Sequence, residues 1–435
     1  MNTNDFLGSW ADENVSFATR IVKSASVGDN FWTAMVFVEN SRYVNTSQTG
    51  WEKAPGTEDS QGIKVLAVDA TNYANYTSGL LQSWLYDLFC NGFSGECILV
   101  ACGNIASTSE DTYTPVTPVG TENPQEKGWY EETSTDVYEL TTDTSVTQGK
   151  TYYTKTTVVT EDATAFIASL DIAYAALKAY AYFKTSCAGY NGLNTDVAVE
   201  LSKLCGADKQ LLSGAPLYPC SKIAPANDPL YAAIKASGSA QDAFMSYHSD
   251  TTRNGALYSL GLALASRNDS GTCVGSGFDA IASTNITPSG DGGTNIGENN
   301  ANLIAAHVQY FKTIGDNSLS VAAYGANTIN NVVYSADWIL SYITYMTKVG
   351  VARLLTSGNF LKSASNYSRI VNVLLSNILL FVGAGRLKNQ AIHAPAYADL
   401  PEADSETLII PNAWEATYVD NMRKVQITGT LYIGA

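Results

Sequence analysis

Basic residues are scarce in this 435-residue chain: 25 Lys and Arg stand against 41 Asp and Glu, for a formal charge of −16. There is no run of four or more basic residues, so the counter-ion release that drives nucleic-acid binding has no source, and no nucleic-acid partner is expected. Charge of either sign is thin at 15% of the chain, against roughly 25% in an ordinary soluble domain. Histidine is nearly absent. His248, His307 and His393 are the three present, and none falls in an HxxxH, HxH or HExxH spacing, so no metal site is legible. The seven cysteines, Cys90, Cys97, Cys102, Cys187, Cys205, Cys220 and Cys273, form no CxxC pair and read as reduced core thiols. No stretch is apolar enough to cross a bilayer. The longest, 370–383, is interrupted by Asn372, Ser376 and Asn377 and falls short of the roughly 20 residues a crossing needs, so it reads as a buried helix. The first residues, MNTNDFLGSWADENVSF, lack a basic stretch followed by an apolar one, so export is not expected. The six Asn-x-Ser/Thr sequons at Asn14, Asn45, Asn75, Asn268, Asn285 and Asn366 are then without a role.

Aromatic residues are plentiful: 26 Tyr, 13 Phe and 7 Trp. Aromatic surface combined with little charge suits permanent interfaces better than a solitary monomer, so assembly is expected. At about 150 residues per domain the length predicts two to three domains.

Along the chain, strands are expected at 31–38, 62–68 and 96–102, with a helix at 78–89 where Leu81, Trp84, Leu85, Leu88 and Phe89 recur at three- and four-residue steps. The strand, helix, strand order with continuous apolar strands predicts parallel pairing under helical cover. Between Asn104 and Ala165 the composition shifts to 17 Thr and 11 Asp/Glu against 3 Lys, a net of −8. There the segment 128–155 predicts short strands and hairpins, hence a small β insertion. Helices are then expected at 163–183, 195–205, 229–237, 254–266, 301–311, 335–355 and 365–383. Strands are expected at 210–214, 242–248 and 318–324, and a loop at 283–300. The last segment, 424–433, alternates Val425, Ile427, Leu431 and Ile433 with polar residues and predicts a half-buried strand. The expected fold class is α/β, multi-domain, with mixed sheets flanked by helices, the β insertion, and extended terminal arms.

Motifs that hint at chemistry do not complete themselves. TSVTQGKT, 144–151, ends like a phosphate-binding loop with Gly149, Lys150 and Thr151, but Thr144 replaces the first glycine and no helix follows; it reads as a turn between strands. GTCVG, 271–275, has the outline of a nucleophile elbow at Cys273 with His307 or His393 downstream, yet Arg267, Asn268, Asp269 and Ser270 do not make the buried strand an elbow needs. The loop 291–300 is oxygen-rich but misses the spacing of a calcium loop. No catalytic, cofactor-binding or metal residue is assigned.

Five segments together resemble the tail sheath proteins of contractile bacteriophages. They are 73–103 (YANYTSGLLQSWLYDLFCNGFSGECILVACG), 181–215, 245–281, 320–346 (with its Asp337-Trp338 helix) and 422–435 (MRKVQITGTLYIGA). Residues 104–162 depart from that pattern and look like a decorative module. The resemblance implies a non-enzymatic subunit that polymerises helically around an inner tail tube and contracts. Its partners would be copies of itself, the tube protein, and baseplate and tail terminator proteins, in a virion assembled in the host cytoplasm, with no cofactor. It also implies terminal arms that add strands to neighbouring subunits, with Val425, Ile427, Leu431 and Ile433 filling pockets. The corresponding division is 1–30 as an arm and part of the inner domain, 31–300 as an outer α/β domain interrupted by 104–162, 301–421 as the inner, tube-facing domain, and 422–435 as the terminal arm. The rivals are a major capsid subunit, a secreted adhesin, and an α/β thiol hydrolase built on Cys273.

Overall fold

The computed structural model describes residues 33–40, 42–119, 121–177, 183–186, 194–207, 217–220, 228–237, 243–265, 285–287, 289, 296–313, 321–324, 329, 334–357, 361–401, 408–410 and 413–419. Strands are β1 Thr33–Glu39, β2 Glu52–Lys53, β3 Lys64–Val68, β4 Cys97–Cys102, β5 Ala106–Val116, β6 Tyr130–Ser134, β7 Val137–Leu140, β8 Tyr152–Asp162, β9 Phe183–Ser186, β10 Leu217–Cys220, β11 Phe244–Tyr247, β12 Tyr310–Thr313, β13 Val321–Tyr324, β14 Leu387–Ile392 and β15 Trp414–Tyr418. Helices are α1 Tyr73–Tyr76, α2 Gly79–Phe89, α3 Thr164–Leu177, α4 Thr195–Ala207, α5 Pro229–Ala236, α6 Gly255–Ala265, α7 Ile296–Ala305, α8 Tyr334–Thr356 and α9 Ala364–Gly383. The chain divides into two compact units, Ile105–Ala165 and the remainder.

The larger unit is organised on a five-stranded sheet of order β2-β3-β4-β1-β9. In β1, which lies between β4 and β9, Ala34 to Val38 are fully buried, which is why FWTAMVFV carries no polar alternation. β1 runs parallel to β4 and β9, but β3 is antiparallel to β4. Parallel pairing of 62–68 with 96–102 is therefore corrected: an apolar run does not fix strand direction, and β3 is buried on one face only, through Leu66 and Val68, with Ala67 exposed. Helix α3 buries Phe166, Leu170, Ala173, Tyr174 and Leu177, a four-and-three spacing, and Tyr174 stacks on Phe37 at 6.4 Å. This helix does not reach 183 as the sequence predicts, because Phe183 already belongs to β9. The Ala-rich run has no capping signal to stop a helix, and pairing with Thr33–Val36 decides the matter.

A second correction falls at 301–311. Helix α7 begins earlier, at Ile296, so the expected loop at 283–300 gives up its last five residues, and Tyr310 and Phe311 lie in β12. The stop is a Schellman turn. Val308 N–H donates to Leu303 O (2.9 Å) and His307 N–H to Ile304 O (3.1 Å), with His307 at φ 57 in the left-handed position usually held by glycine. The same device ends α9 with an ordinary glycine: Arg386 N–H donates to Phe381 O (2.8 Å), Gly385 N–H to Val382 O (3.0 Å), and Gly385 sits at φ 71. The sequence reading omits β9, β10, β14 and β15. The strand expected at 210–214 lies outside the described residues.

Helices α2 and α6 cross at backbone distance. A Cβ on Gly261 of α6 would stand well inside van der Waals contact of the Leu88 carbonyl of α2, a backbone atom that cannot rotate away. Gly261→Ala is therefore expected to push the helices apart and cost about 1–3 kcal/mol or more, read as a lowered urea midpoint. An unchanged midpoint would contradict this crossing.

The smaller unit is a four-stranded antiparallel sheet of order β5-β8-β6-β7. β5 and β8 pair along all eleven residues, Ala106↔Asp162 to Val116↔Tyr152, whereas β6 meets β8 only at Tyr130↔Tyr153 and Glu131↔Tyr152. Strands within 128–155 are present as expected, but the long Thr-rich pair that carries them is missing from the sequence reading. One face holds a tyrosine cluster, with Tyr113 stacked on Tyr138 at 3.9 Å and edge-on to Tyr130 at 5.4 Å. The other face buries Trp129 and Tyr152, 5.7 Å apart, with Pro124 and Thr141 beside them.

Candidate assembly interface

A two-stranded sheet of the larger unit follows its longest helices. Ser363 caps α9 by accepting from Asn366 N–H (3.3 Å). α9 then buries Tyr367, Leu374, Asn377, Ile378 and Phe381. Phe381 meets Tyr342 of α8 edge-on at 5.5 Å, Gly350 of α8 leaves room for Val373, and buried Asn377 donates to Thr347 Oγ1 (3.1 Å). That polar bridge fixes the axial register of two otherwise apolar helices. The Schellman turn at Gly385 delivers the chain directly into β14.

β14 pairs antiparallel with β15, Leu387↔Tyr418 to Ile392↔Trp414, through a bulge between Lys388 and Ala391 where Asn389 has φ 51. Among the described residues these two strands form a sheet of their own. Tyr367 OH pins the following segment by donating to Pro395 O (2.6 Å), and His393 lies 3.0 Å from Glu415 across the pair. A two-stranded sheet is marginal by itself in water. On the outer side of α9, Leu379 and Leu380 are exposed next to Ser376 and Gly383. Val425, Ile427, Leu431 and Ile433, the residues assigned to strand addition, lie outside the described residues, as do 1–30 and Cys273.

The larger unit also holds a buried ionic cluster that the sequence reading passes over. Asp87, on the core side of α2 and fully buried, contacts Arg253 Nη2 at 2.5 Å and accepts the Asn254 N–H at 2.7 Å. Asn254 is the N-cap of α6, its Oδ1 accepting from Ala256 and Leu257 N–H (3.1 Å each). Arg253 reaches on to Asn285 O (2.9 Å), and Asn285 Nδ2 donates to Cys90 O (2.9 Å). Burial pushes the Asp87 carboxyl up to about 6 against the pull of Arg253, and pushes the Cys90 thiol up to about 12, which makes it a poor nucleophile. The available signal was an acid placed between Leu85 and Leu88 on an otherwise apolar face.

The remaining sequence candidates are dispersed. His248 is buried; its Nδ1 accepts the Asp250 N–H (3.0 Å), which leaves Nε2–H to donate to Thr287 O (3.1 Å), and burial lowers its pKa. His307 serves as a helix terminator and its Nδ1 lies 3.1 Å from Ile329 O. Of the calcium-like loop, Ile296 to Asn300 are helical. Lys150 is held by carboxylates rather than by a phosphate-binding loop, with Glu131 in direct contact and Asp143 at 2.9 Å. Among the described residues no group of three or more His, Cys, Asp or Glu is placed to hold a metal, and no helix is long and apolar enough to cross a membrane.

No protein-family model matches the chain, and no curated protein matches it. Among solved structures it is similar to a chain in the cryo-EM structure of the anti-feeding prophage baseplate, 6-fold symmetrised, with a TM-score of 0.53 and 11% identity over 96% of this chain and 97% of that one. It also aligns with a sheath tail protein from Listeria innocua, with a TM-score of 0.45 and 7% identity over 90% and 93% of the two chains. The baseplate match runs from end to end. It establishes a fold shared with that baseplate chain, α/β in character.

Proposed function

We propose that this chain is a structural tail sheath subunit that polymerises helically around a tail tube and contracts to drive the tube through a host envelope. The observation that carries the reading is the end-to-end likeness of fold to the baseplate chain, over 96% of this chain. The separate sheet of β14 and β15 supports it as a place where a neighbour's strand can dock. In this reading the alternating strand at 424–433 leaves its own subunit and adds to a neighbour's sheet, supplying main-chain hydrogen bonds and inserting Val425, Ile427, Leu431 and Ile433. Because donor and acceptor surfaces differ, the contact is heterologous and propagates into a filament.

No active site is required. A metastable extended lattice converts to a contracted one of lower free energy, with the arms keeping subunits joined while other contacts exchange. Residues 1–30 and 301–421 face the tube, 31–300 forms the outer α/β domain, and 104–162 lies outermost. Partners are other copies of the chain, the tube protein, and baseplate and terminator proteins, within a virion assembled in the host cytoplasm. Purified full-length protein is expected to form tubes or striated cylinders in negative-stain electron microscopy and a fast, polydisperse boundary in sedimentation velocity. Closed shells would favour a capsid role. A monodisperse monomer that stays unassembled when the tube protein is supplied would overturn the reading.

A further inference from the structure

The small unit Ile105–Ala165 carries much of the chain's negative charge, with 11 Asp and Glu against 3 Lys over 104–165. All three of its lysines are engaged. Lys127 pairs with Glu122 at 3.5 Å. The other two are held in one pattern, an amine beside both a carboxylate and a tyrosine ring. Lys155 Nζ lies 2.7 Å from Asp111 Oδ2 and 5.9 Å from the Tyr130 ring centre. Lys150 Nζ lies 2.9 Å from Asp143 Oδ2, with Glu131 also in contact, and 5.9 Å from the Tyr152 ring centre. The negative ring face and the carboxylate attract the same ammonium, and a ring centre within about 6 Å is close enough to do so.

A third combination of carboxylate and ring stands on the tyrosine face. Glu132 of β6 lies opposite Tyr138 of β7, and its Oε2 accepts from Tyr153 OH at 3.3 Å. Its Oε1 accepts the Asp136 N–H at 3.1 Å, which fixes the hairpin turn beside it. Tyr138 and Tyr153 meet edge to face with ring centres 4.9 Å apart. Both rings are half-buried, while Glu132 and Asp136 are exposed. Burial and, after it, the Glu132 carboxylate push the Tyr138 and Tyr153 hydroxyls up, so the negative charge is felt at both rings. Among the described residues no Lys or Arg pairs with Glu132 or Asp136.

We infer that Glu132, Asp136, Tyr138 and Tyr153 form a docking site for a lysine-bearing segment of a protein partner, which completes from outside the pattern that Lys150 and Lys155 complete from within. Charge complementarity selects the occupant. The unit's own two occupants of the pattern are primary ammonium groups, and Glu132 can accept the hydrogen bonds that such a group donates and a quaternary ammonium cannot. Glu110, Glu126 and Glu139 add negative charge without a printed cationic partner, so the field around the site draws in several positive charges on one segment and not a solitary amine. One exposed ion pair together with one ring contact is worth about five- to tenfold in affinity, so the contact is a weak one that several lysines reinforce.

The test uses the full chain and a fluorescein-labelled peptide of lysines spaced by Gly-Ser, read by fluorescence anisotropy at low salt, and it does not depend on the assembly reading. The peptide is expected to bind, and Glu132→Gln, an isosteric change at an exposed position, should weaken it about fivefold. Glu110→Gln removes the same charge from the opposite face of β5 and should change affinity by less than about twofold. Carbodiimide, which takes up the water as a urea while an amide forms, should join the peptide's lysine to Glu132 or Asp136, as located by tandem mass spectrometry. Equal weakening by Glu110→Gln and Glu132→Gln, or cross-links spread evenly over the unit's carboxylates, would overturn the inference and leave only attraction by net charge. Absence of binding would overturn it as well. So would tighter binding of the same peptide with its lysines trimethylated, which would assign the site to quaternary ammonium groups.

Discussion

Removal of residues 423–435 is expected to yield a folded subunit that no longer polymerises. The four apolar side chains of this segment, Val425, Ile427, Leu431 and Ile433, are worth about 1.5–3 kcal/mol each when buried. The main-chain bonds of an added strand contribute about 1 kcal/mol each. Part of that gain is offset by ordering the arm. What remains is still several kcal/mol per subunit, and since each factor of ten in association costs about 1.4 kcal/mol, losing it raises the assembly threshold by orders of magnitude. The deletion removes no residue of the cores around β1 or between α8 and α9, so circular dichroism and the melting transition should stay close to those of the full chain. Tubes of normal length from the truncated protein would remove strand addition from the account.

The second large effect is expected at Asp87. Asp87→Ala leaves the Arg253 guanidinium at a largely buried site, its side chain only 18% exposed, without the carboxylate beside it. It also withdraws the acceptor of the Asn254 N–H at the start of α6. Breaking a buried pair in this one-sided way costs about 3–5 kcal/mol, which chemical denaturation would read as a large fall in midpoint.

The pH dependence has a definite sign. The folded-state pKa of Asp87, about 6, lies above its unfolded value near 3.8, so folding favours the protonated form. The stability it contributes is fully present below about pH 4 and is lost as pH rises through about 6, an amount of about 3 kcal/mol from the 1.36 kcal/mol per unit relation. Other carboxylates work in the opposite direction, since hydrogen bonds hold Asp69 and Asp250 below the ordinary range. The informative quantity is therefore the difference between wild type and Asp87→Asn. The wild-type advantage should shrink between pH 4 and pH 7 and stay level above that. A pH-independent difference would mean that Asp87 is not desolvated as the structure has it.

Much of the fold was legible where one face of an element does the burying. The helices at 79–89, 229–236, 255–265, 334–356 and 364–383 carry an apolar stripe that no strand can satisfy, and FWTAMVFV carries an apolar block that only a two-sided core can hold. Strand direction was not legible, because the apolar run of β3 conceals its one-sided burial, Leu66 and Val68 inward and Ala67 exposed, beside the almost fully buried β4. The stop at His307 was hidden because a histidine occupies a left-handed position for which glycine is the usual sign. β14, with the sequence LKNQAI, shows no clean alternation, because a bulge at Asn389 breaks its period. The two polar clusters were invisible for another reason. Asp87 meets Arg253 across 166 residues, and Glu131, Asp143 and Lys150 converge from a strand and two turns, so the chain order of these residues carries no spacing that chemistry recognises. What the composition did convey, little charge and much aromatic surface, concerns assembly more than any single site.

The most direct measurement of the central claim is a helical reconstruction by cryo-electron microscopy of the assemblies formed by the full chain, at a resolution that traces the backbone. The account predicts that residues 424–433 of each subunit leave it and pair as a strand with the β14–β15 sheet of a neighbour, with Val425, Ile427, Leu431 and Ile433 facing its covered side. A reconstruction in which 424–433 folds back onto its own subunit, with neighbours joined through other surfaces, would contradict it.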